Sequence, residues 1–405
     1  MNRCRICNYR IKRIINLGKI ALVGNFFKKK INQKKYNISL NYCKKCKHVQ
    51  ISERLNPKLL FKKYLWETGI SKSNILLIKK LLFNLKQLGI NNKSKVLEIA
   101  SNDGSFIKVI YKKYKSFVIG VDPASNLAKK VNMTKINTIN DFFNFKLSNF
   151  IKKKYNKFDF IFARNVIAHL KNPNDTFKGV ESLLKDRGVF IIEVPHLLNI
   201  LKDNQYDNIF HEHIGFHSLK SILDLCKNNK LKVFNVENID SQGGSIRCFI
   251  TKKNSDRIIS KKVNFLLQKE KNLNLFSENK LKNFKFKIQN HSTQMLKLIR
   301  YLRNKNYKIS VYGASGKGQA LMQFCKMDNK LIDYVFDKSI LKQKKFTPGT
   351  NIKILDPKLI SRKKIDFLII LSWNIKDEII KQENSFFKKG GKFIIPFPKP
   401  KIINK

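Results

Sequence analysis

Two long stretches of the chain alternate short, wholly apolar runs with segments of helical spacing, and this alternation limits the possible folds more than any other feature. The first, Lys95 to about Lys252, carries Lys95-Val96-Leu97-Glu98-Ile99, Phe117-Val118-Ile119-Gly120-Val121, Phe158-Asp159-Phe160-Ile161-Phe162 and Gly188-Val189-Phe190-Ile191-Ile192. The second carries Lys308-Ile309-Ser310-Val311-Tyr312, Tyr334-Val335-Phe336, Phe367-Leu368-Ile369-Ile370-Leu371 and Lys392-Phe393-Ile394-Ile395. Strands covered on both faces read as unbroken apolar runs, and helices between them return the chain so that they lie parallel. Each stretch therefore predicts a parallel α/β domain of its own. Residues 256 to about 306, rich in Lys, Asn, Leu and Phe and free of Gly and Pro, predict connecting helices. Another helix is expected from Leu60 to about Leu88, where Ile75, Leu76, Ile78, Leu81, Leu82 and Leu85 keep helical spacing. A chain of 405 residues is too long for one core, so the expected units are 1–60, 61–255 and a smaller 256–405.

The first unit is predicted to be small, loop-rich and held by metal. Cys4-x-x-Cys7 and Cys43-x-x-Cys46 each turn two sulfurs toward one point, and two such turns complete the tetrahedral shell that zinc prefers. Four thiolates leave no position for water, which makes the expected Zn2+ structural. Paired thiols of this kind suit a reducing, cytoplasmic compartment better than a secreted disulfide scaffold. No run of about 18 apolar residues is present, and Met1-Asn2-Arg3-Cys4 lacks the apolar core of a signal peptide, so no membrane partner is expected.

Charge enters here because 83 Lys plus Arg against 28 Asp plus Glu leaves a net +55. Such a surplus favours phosphate-bearing partners. Yet the lysines are spread along the whole chain together with abundant Asn and Ile, the signature of compositional drift, and no specific nucleic-acid partner is expected. An anionic small substrate fits either way.

At the end of the first strand of the middle unit stands Glu98-Ile99-Ala100-Ser101-Asn102-Asp103-Gly104. Open parallel sheets bind ligands beyond the carboxyl ends of their strands, and a glycine there admits close approach. The three-glycine dinucleotide fingerprint is absent, which weakens a nicotinamide reading. Acidic and amide groups in its place suit a cationic, amino-acid-bearing cofactor. The second strand ends at Asp122 in Gly120-Val121-Asp122-Pro123, where a carboxylate can accept ribose hydroxyls. Helix capping by Asp103 and Asp122 is the bland alternative.

Five of the seven histidines lie between His169 and His217. His169 closes Asn165-Val166-Ile167-Ala168-His169, His196 follows Glu193-Val194-Pro195, and His211-Glu212-His213 stand together, with His217 beyond. Imidazoles near strand ends serve as bases near neutral pH, and a neighbouring carboxylate can orient one. The spacing of His211-Glu212-His213 excludes the zinc-protease pattern, whose two histidines stand one helical turn apart.

Taken in order, these motifs resemble the three-domain sugar C-methyltransferases that act on nucleotide-linked keto-deoxysugars. The resemblance spans nearly the whole chain: the two cysteine knuckles with His48-Val49-Gln50, Tyr64 and Trp66, Glu98 to Gly104, Asn165 to His169, Glu193 to His196, Asn204-Gln205-Tyr206-Asp207, His211-Glu212-His213, Gly243-Gly244-Ser245-Ile246-Arg247 and Tyr312-Gly313-Ala314-Ser315-Gly316-Lys317-Gly318. It implies a zinc-knuckle module, a central Rossmann-like class I methyltransferase domain and a smaller Rossmann-like C-terminal domain for substrate. It further implies that Glu98, Ser101, Asn102, Asp103, Gly104, Asp122 and Asn165 hold S-adenosyl-L-methionine. By the same analogy His213 is the base, Glu212 tunes it, and Tyr64 and His169 hold the sugar or its enolate. His196, Ser245, Arg247, Gly313, Lys317 and Gly318 would meet a nucleotide-sugar substrate, the last three through its diphosphate. One departure stands out: related proteins carry Tyr where this chain has Phe210. The competing readings are an O- or N-methyltransferase of another small metabolite and a zinc-containing protein that binds or methylates RNA.

Overall fold

The computed structural model describes residues 3–53, 55–70 and 72–404. The apolar runs of the first stretch form the heart of a seven-stranded sheet. In spatial order its strands are Leu231–Ile239, Ser245–Lys252, Leu184–Pro195, Phe158–Arg164, Lys95–Ile99, Phe117–Val121 and Asn137–Ile139. The last five are parallel, and the first two close one edge as antiparallel neighbours. From Lys95–Ile99 the sheet grows outward in one direction through the next two strands and in the other through Phe158–Arg164. The loops after these two strands therefore part at their carboxyl ends and leave a crevice. Those loops are residues 100–104 and 165–169, the two segments singled out by their chemistry.

The second stretch forms a six-stranded sheet in the order Ile354–Leu355, Val335–Phe336, Ile309–Tyr312, Phe367–Ile370, Lys392–Ile395 and Lys401–Ile403, parallel except for its last strand. Its growth reverses between Ile309–Tyr312 and Phe367–Ile370, so its own crevice lies at Gly313 to Lys317.

The N-terminal unit departs from expectation. Instead of loops it contains the antiparallel strands Ile11–Ala21, Lys35–Cys43 and Val49–Ile51. Register shifts between Arg13 and Ile15 and between Asn16 and Lys19 break the period-two alternation, which hid the strands in the sequence. The fourth strand of this sheet is Gly215–Phe216, which belongs to the middle stretch and pairs with Val49 and Gln50. Glycine is needed at 215, where a Cβ would stand 3.0 Å from His217 Nε2 and 3.2 Å from His48 Cε1.

The apolar cores confirm that the units interlock. One cluster runs through Ile15, Leu40 and Val49 of the N-terminal sheet, Leu201, Tyr206 and Ile209, the helix Glu278–Asn304 by Phe284 and Met295, and Val311 and Ile369 of the last sheet. Each such fully buried side chain contributes about 1.5–3 kcal/mol. The helix Lys261–Asn272 packs Val263 and Leu266 against the core of the middle sheet. It also delivers Glu270, wholly buried, to His196: Oε1 lies 2.7 Å from Nε2 and accepts the Leu219 amide at 2.6 Å, while Oε2 accepts the Lys220 amide. His196 was expected to touch substrate; it is instead an internal strut, 1% exposed. Glu270→Ala strands that imidazole and two amides at the start of the helix Leu219–Asn228, so we expect a loss of about 3–5 kcal/mol of stability, read as a lower urea midpoint.

Candidate active site

The four cysteine sulfurs lie within 4.8 Å of one another, with Cys4 to Cys46 and Cys7 to Cys43 at 3.4 Å. Zn–S bonds of about 2.3 Å in a tetrahedron separate sulfurs by about 3.8 Å. The donor set therefore fits zinc.

In the crevice of the middle sheet, Asp122 is buried and accepts the amides of Asn102 and Ala124, both at 2.8 Å. Burial raises its pKa against those two bonds. Glu98 accepts Arg164 through Oε1 at 2.9 and 3.1 Å, and burial still pushes its carboxyl up to about 7. Glu98 Oε2, Ser101 Oγ and Asn165 Oδ1 are buried at the strand ends without a hydrogen-bond partner in the protein. Acceptors massed at a switch point fit a ligand with an ammonium group and hydroxyls, which is what S-adenosylmethionine presents. Asn102 and Asp103 have a different task from the side-chain contacts expected of them. Asn102 binds the Thr68 amide and the Trp66 carbonyl, and Asp103 Oδ2 accepts the Gly69 amide at 2.8 Å. They tie residues 66–69 to the loop at the crevice, with Gly104 in the left-handed region (φ +68°) opening the helix Ser105–Tyr114.

The five clustered histidines separate. His196 is taken by Glu270, His217 is buried beside His48 with ring centroids 4.7 Å apart, and His211 lies buried against Tyr36 and the Asn37 carbonyl. His169 and His213 remain together, their rings 4.8 Å apart in an edge-to-face pair. A carbonyl only accepts, so His169 Nδ1 carries a proton toward the Glu212 carbonyl at 2.8 Å and His213 Nδ1 carries one toward the Asn208 carbonyl at 2.9 Å. Burial lowers His169 to about 4, and burial with His169 nearby drops His213 well below the usual range. Both rings are therefore neutral at pH 7, and with Nδ1–H turned to the Asn208 carbonyl His213 keeps its lone pair on Nε2.

Glu212 lies beside them, 7% exposed, its Oε2 at 3.4 Å from Tyr64 Oη. Burial lifts its carboxyl to about 7, opposed by the Tyr64 hydrogen bond and the charge of Lys342. Tyr64 itself is pushed well up by burial and by Glu212, so its phenol stays protonated. From the turn after the strand Ile11–Ala21, Gly24 approaches so closely that a Cβ would lie 3.3 Å from Glu212 Oε1. Phe210 packs against His213 with centroids 4.2 Å apart and the ring planes tilted by 33°, and it faces Gly316 of the C-terminal domain.

The C-terminal loop reaches the same place. Ser315 caps the helix Gly316–Phe324 by accepting the Gly318 amide, and Asp337 accepts the Ala314 amide at 2.7 Å. Lys317 is buried, donates to the Gln242 carbonyl at 2.6 Å, and is lowered by burial to about 8. The expected substrate contacts Ser245 and Arg247 are also occupied internally. Ser245 donates to the Ser241 carbonyl, and Arg247, 1% exposed, is clamped between Glu193 and Glu237. Both lock the strand Ser245–Lys252 into place, because an unpaired buried guanidinium or hydroxyl would be costly. Sequence reasoning missed Lys342 and the Trp373 indole, which donates to the buried Asp207 at 2.8 Å. A single lysine among so many carries no signal by itself.

Three family models match the chain: a zinc binding domain over residues 4–61, a methyltransferase domain over 73–236 and a C-methyltransferase C-terminal domain over 240–398. The C-methyltransferase NovU of Streptomyces niveus is 29% identical over 409 residues, covering 100% of this chain and 97% of that protein. The chain is a three-domain S-adenosylmethionine-dependent C-methyltransferase. This methyltransferase is also 31% identical over 130 residues to the phosphoethanolamine N-methyltransferase of Plasmodium falciparum, covering 31% of this chain and 47% of that one. Among solved structures, the PH0226 protein of Pyrococcus horikoshii OT3 matches with a TM-score of 0.36 at 17% identity, over 50% of this chain and 100% of that one. Among the described residues of the methyltransferase, no helix is long and apolar enough to cross a membrane. Its zinc module supplies the strand that pairs with Gly215–Phe216, directly after the catalytic histidine candidate. Cys46→Ser should therefore lose zinc, measured by plasma emission, and lose methyl transfer with it, although the cysteines stand apart from the histidine pair.

Proposed function

We propose that this C-methyltransferase acts on a nucleotide-linked keto-deoxysugar, removing a proton from the carbon beside the ketone so that this carbon takes the methyl group. The observation that carries the reading is the tautomer of His213: with Nδ1–H committed to the Asn208 carbonyl, Nε2 is a free, neutral base in a dry site. A carbon acid needs such a base, whereas transfer to an oxygen or nitrogen lone pair does not. Loss of the proton turns His213 into an imidazolium and the substrate into an enolate. The Tyr64 phenol, kept protonated, can donate to the enolate oxygen, and an ionised Glu212 offsets the new imidazolium charge. His169, whose ring packs edge-to-face on that of His213, would help hold the sugar. Bound S-adenosylmethionine supplies the electrophilic methyl group. Asp122, Glu98, Ser101 and Asn165 line its crevice, with residues 66–69 tied to the loop beside them. For the nucleotide diphosphate, the amides at the start of the helix Gly316–Phe324 offer a partly positive end near Phe210.

The test is a panel of nucleoside-diphosphate 4-keto deoxysugars with 13C-methyl-labelled donor, the product analysed by NMR. A new carbon-bound methyl is expected; label on oxygen or nitrogen would overturn the reading. His213→Ala should lower kcat by about 10²–10⁴-fold while the affinity for S-adenosylhomocysteine stays within about twofold, and His169→Ala should chiefly raise KM for the sugar. Full activity in His213→Ala would remove it as the base. Activity should also fall as pH drops through about 7, where Glu212 takes up its proton.

A further inference from the structure

The segment Gln205-Tyr206-Asp207 has no place in the chemistry proposed above. Its last two residues open the single turn Tyr206–Asn208, fully buried, and the carbonyl of Asn208 is the one that holds His213 Nδ1 at 2.9 Å. Both side chains before that carbonyl reach into the C-terminal domain. Tyr206 Oη lies 2.8 Å from His291 Nδ1, on the helix Glu278–Asn304, and 3.1 Å from Cys325 Sγ. His291 Nε2 stands 2.6 Å from the Pro396 carbonyl and so carries the ring proton, which leaves Nδ1 to accept the Tyr206 hydroxyl. Asp207 Oδ2 accepts the indole N–H of Trp373 at 2.8 Å, from 166 residues further along the chain. Trp373 opens the short turn Trp373–Ile375 beyond the strand Phe367–Ile370.

The indole is itself held in place. Its ring packs edge-to-face on Phe397 with centroids 5.5 Å apart, and Phe397 stacks on His291 at 4.8 Å. Its outer edge rests on Gly243, in the left-handed region (φ +88°), where a Cβ would come within 2.6 Å of Trp373 Cη2. The Gly243 carbonyl accepts Gln205 Nε2 at 2.6 Å, and Gln205 Oε1 lies 3.3 Å from Asn208 Nδ2. The same ring therefore touches both sides of the turn that carries the Asn208 carbonyl. From this geometry, and resting on the reading of His213 as the base, we infer that Trp373 is a positioning residue: by binding Asp207 it fixes the Asn208 carbonyl, and through it the proton on His213 Nδ1. The proton of a neutral imidazole goes to the nitrogen whose partner accepts it. A buried carboxylate deprived of its donor must turn toward water or another donor. Asn208 is the next residue, so its carbonyl turns with it and His213 loses the partner that keeps Nε2 bare. The C-terminal domain thus sets the protonation pattern of a base that belongs to the middle domain.

The experiment compares wild type, Trp373→Phe, Asp207→Leu and Asp207→Asn, each labelled with 15N-histidine, in the free enzyme. The His213 ring signals are identified by their absence in His213→Gln. Wild type should show a protonated Nδ1 and a bare Nε2. In Trp373→Phe, which removes one N–H and keeps an aromatic ring against Phe397, and in Asp207→Leu, a population with the proton on Nε2 should appear. In both, kcat should fall by about 10-fold to 10²-fold, with KM and the affinity for S-adenosylhomocysteine within about twofold of wild type. Asp207→Asn keeps an oxygen for the indole, so its ring signals and kcat should return toward wild type. Should Asp207→Leu not fold, Trp373→Phe gives the same reading. Unchanged His213 signals in Trp373→Phe overturn the inference, and so does a loss confined to KM. The ring signals are read without substrate. A shifted proton with undiminished kcat would uphold the positioning by Trp373 and remove His213 as the base.

Discussion

The two-residue strand Gly215–Phe216 decides where Glu212 and the His169–His213 pair stand. Its hydrogen bonds to Val49 and Gln50 attach a loop of the middle domain to the zinc module. Next to it, the Ile214 amide donates to the Ala168 carbonyl at 2.8 Å, and the Ile214 carbonyl accepts the Ile51 amide at 3.1 Å. One residue therefore bridges the loop carrying His169 and the strand that follows Cys46, and Glu212 and His213 lie directly before it. Reacting groups must be held to within a fraction of an ångström to be effective. The four-thiolate cluster is thus coupled through backbone hydrogen bonds to the segment that carries Glu212 and His213.

Water exclusion does the rest. In a dry site a carboxyl rises, an imidazole falls, and a single cation acquires influence that it would not have in solvent. Glu98 and Glu212 are both lifted to about 7 by burial, while His169 and His213 are kept neutral. The net charge of +55 is irrelevant at this scale. What matters is where the few enclosed cations stand: Arg164 against Glu98, Arg247 against Glu193, Lys342 against Asp337, and Lys317 near His213.

Much of this was legible from the chain alone where the cause is local. Lys95–Ile99, Phe117–Val121 and Lys392–Ile395 are strands with the bounds their apolar runs suggest, because burial on both faces leaves an unbroken pattern. The cysteine knuckles were legible for the same reason, since a turn of four residues sets its own sulfur spacing. The strands of the N-terminal sheet were not, because register shifts erase alternation. His196 and Arg247, expected at the substrate, are paired inside the protein with Glu270 and Glu193, partners that the sequence alone does not reveal. Glu270 is 74 residues from His196 along the chain and Glu193 is 54 from Arg247.

The amino-acid sequence by itself determined the parallel α/β units, the four-thiolate cluster and the identity of the chemical groups on offer, all of which follow from short-range patterns. Only the tertiary structure decided which histidines stay free, which carboxylate meets a cation and which protein segments stand at the crevice. Those outcomes depend on contacts between residues hundreds of positions apart, such as Lys342 with Trp66 and Phe26, and the energy of a charge depends on what surrounds it once water is gone.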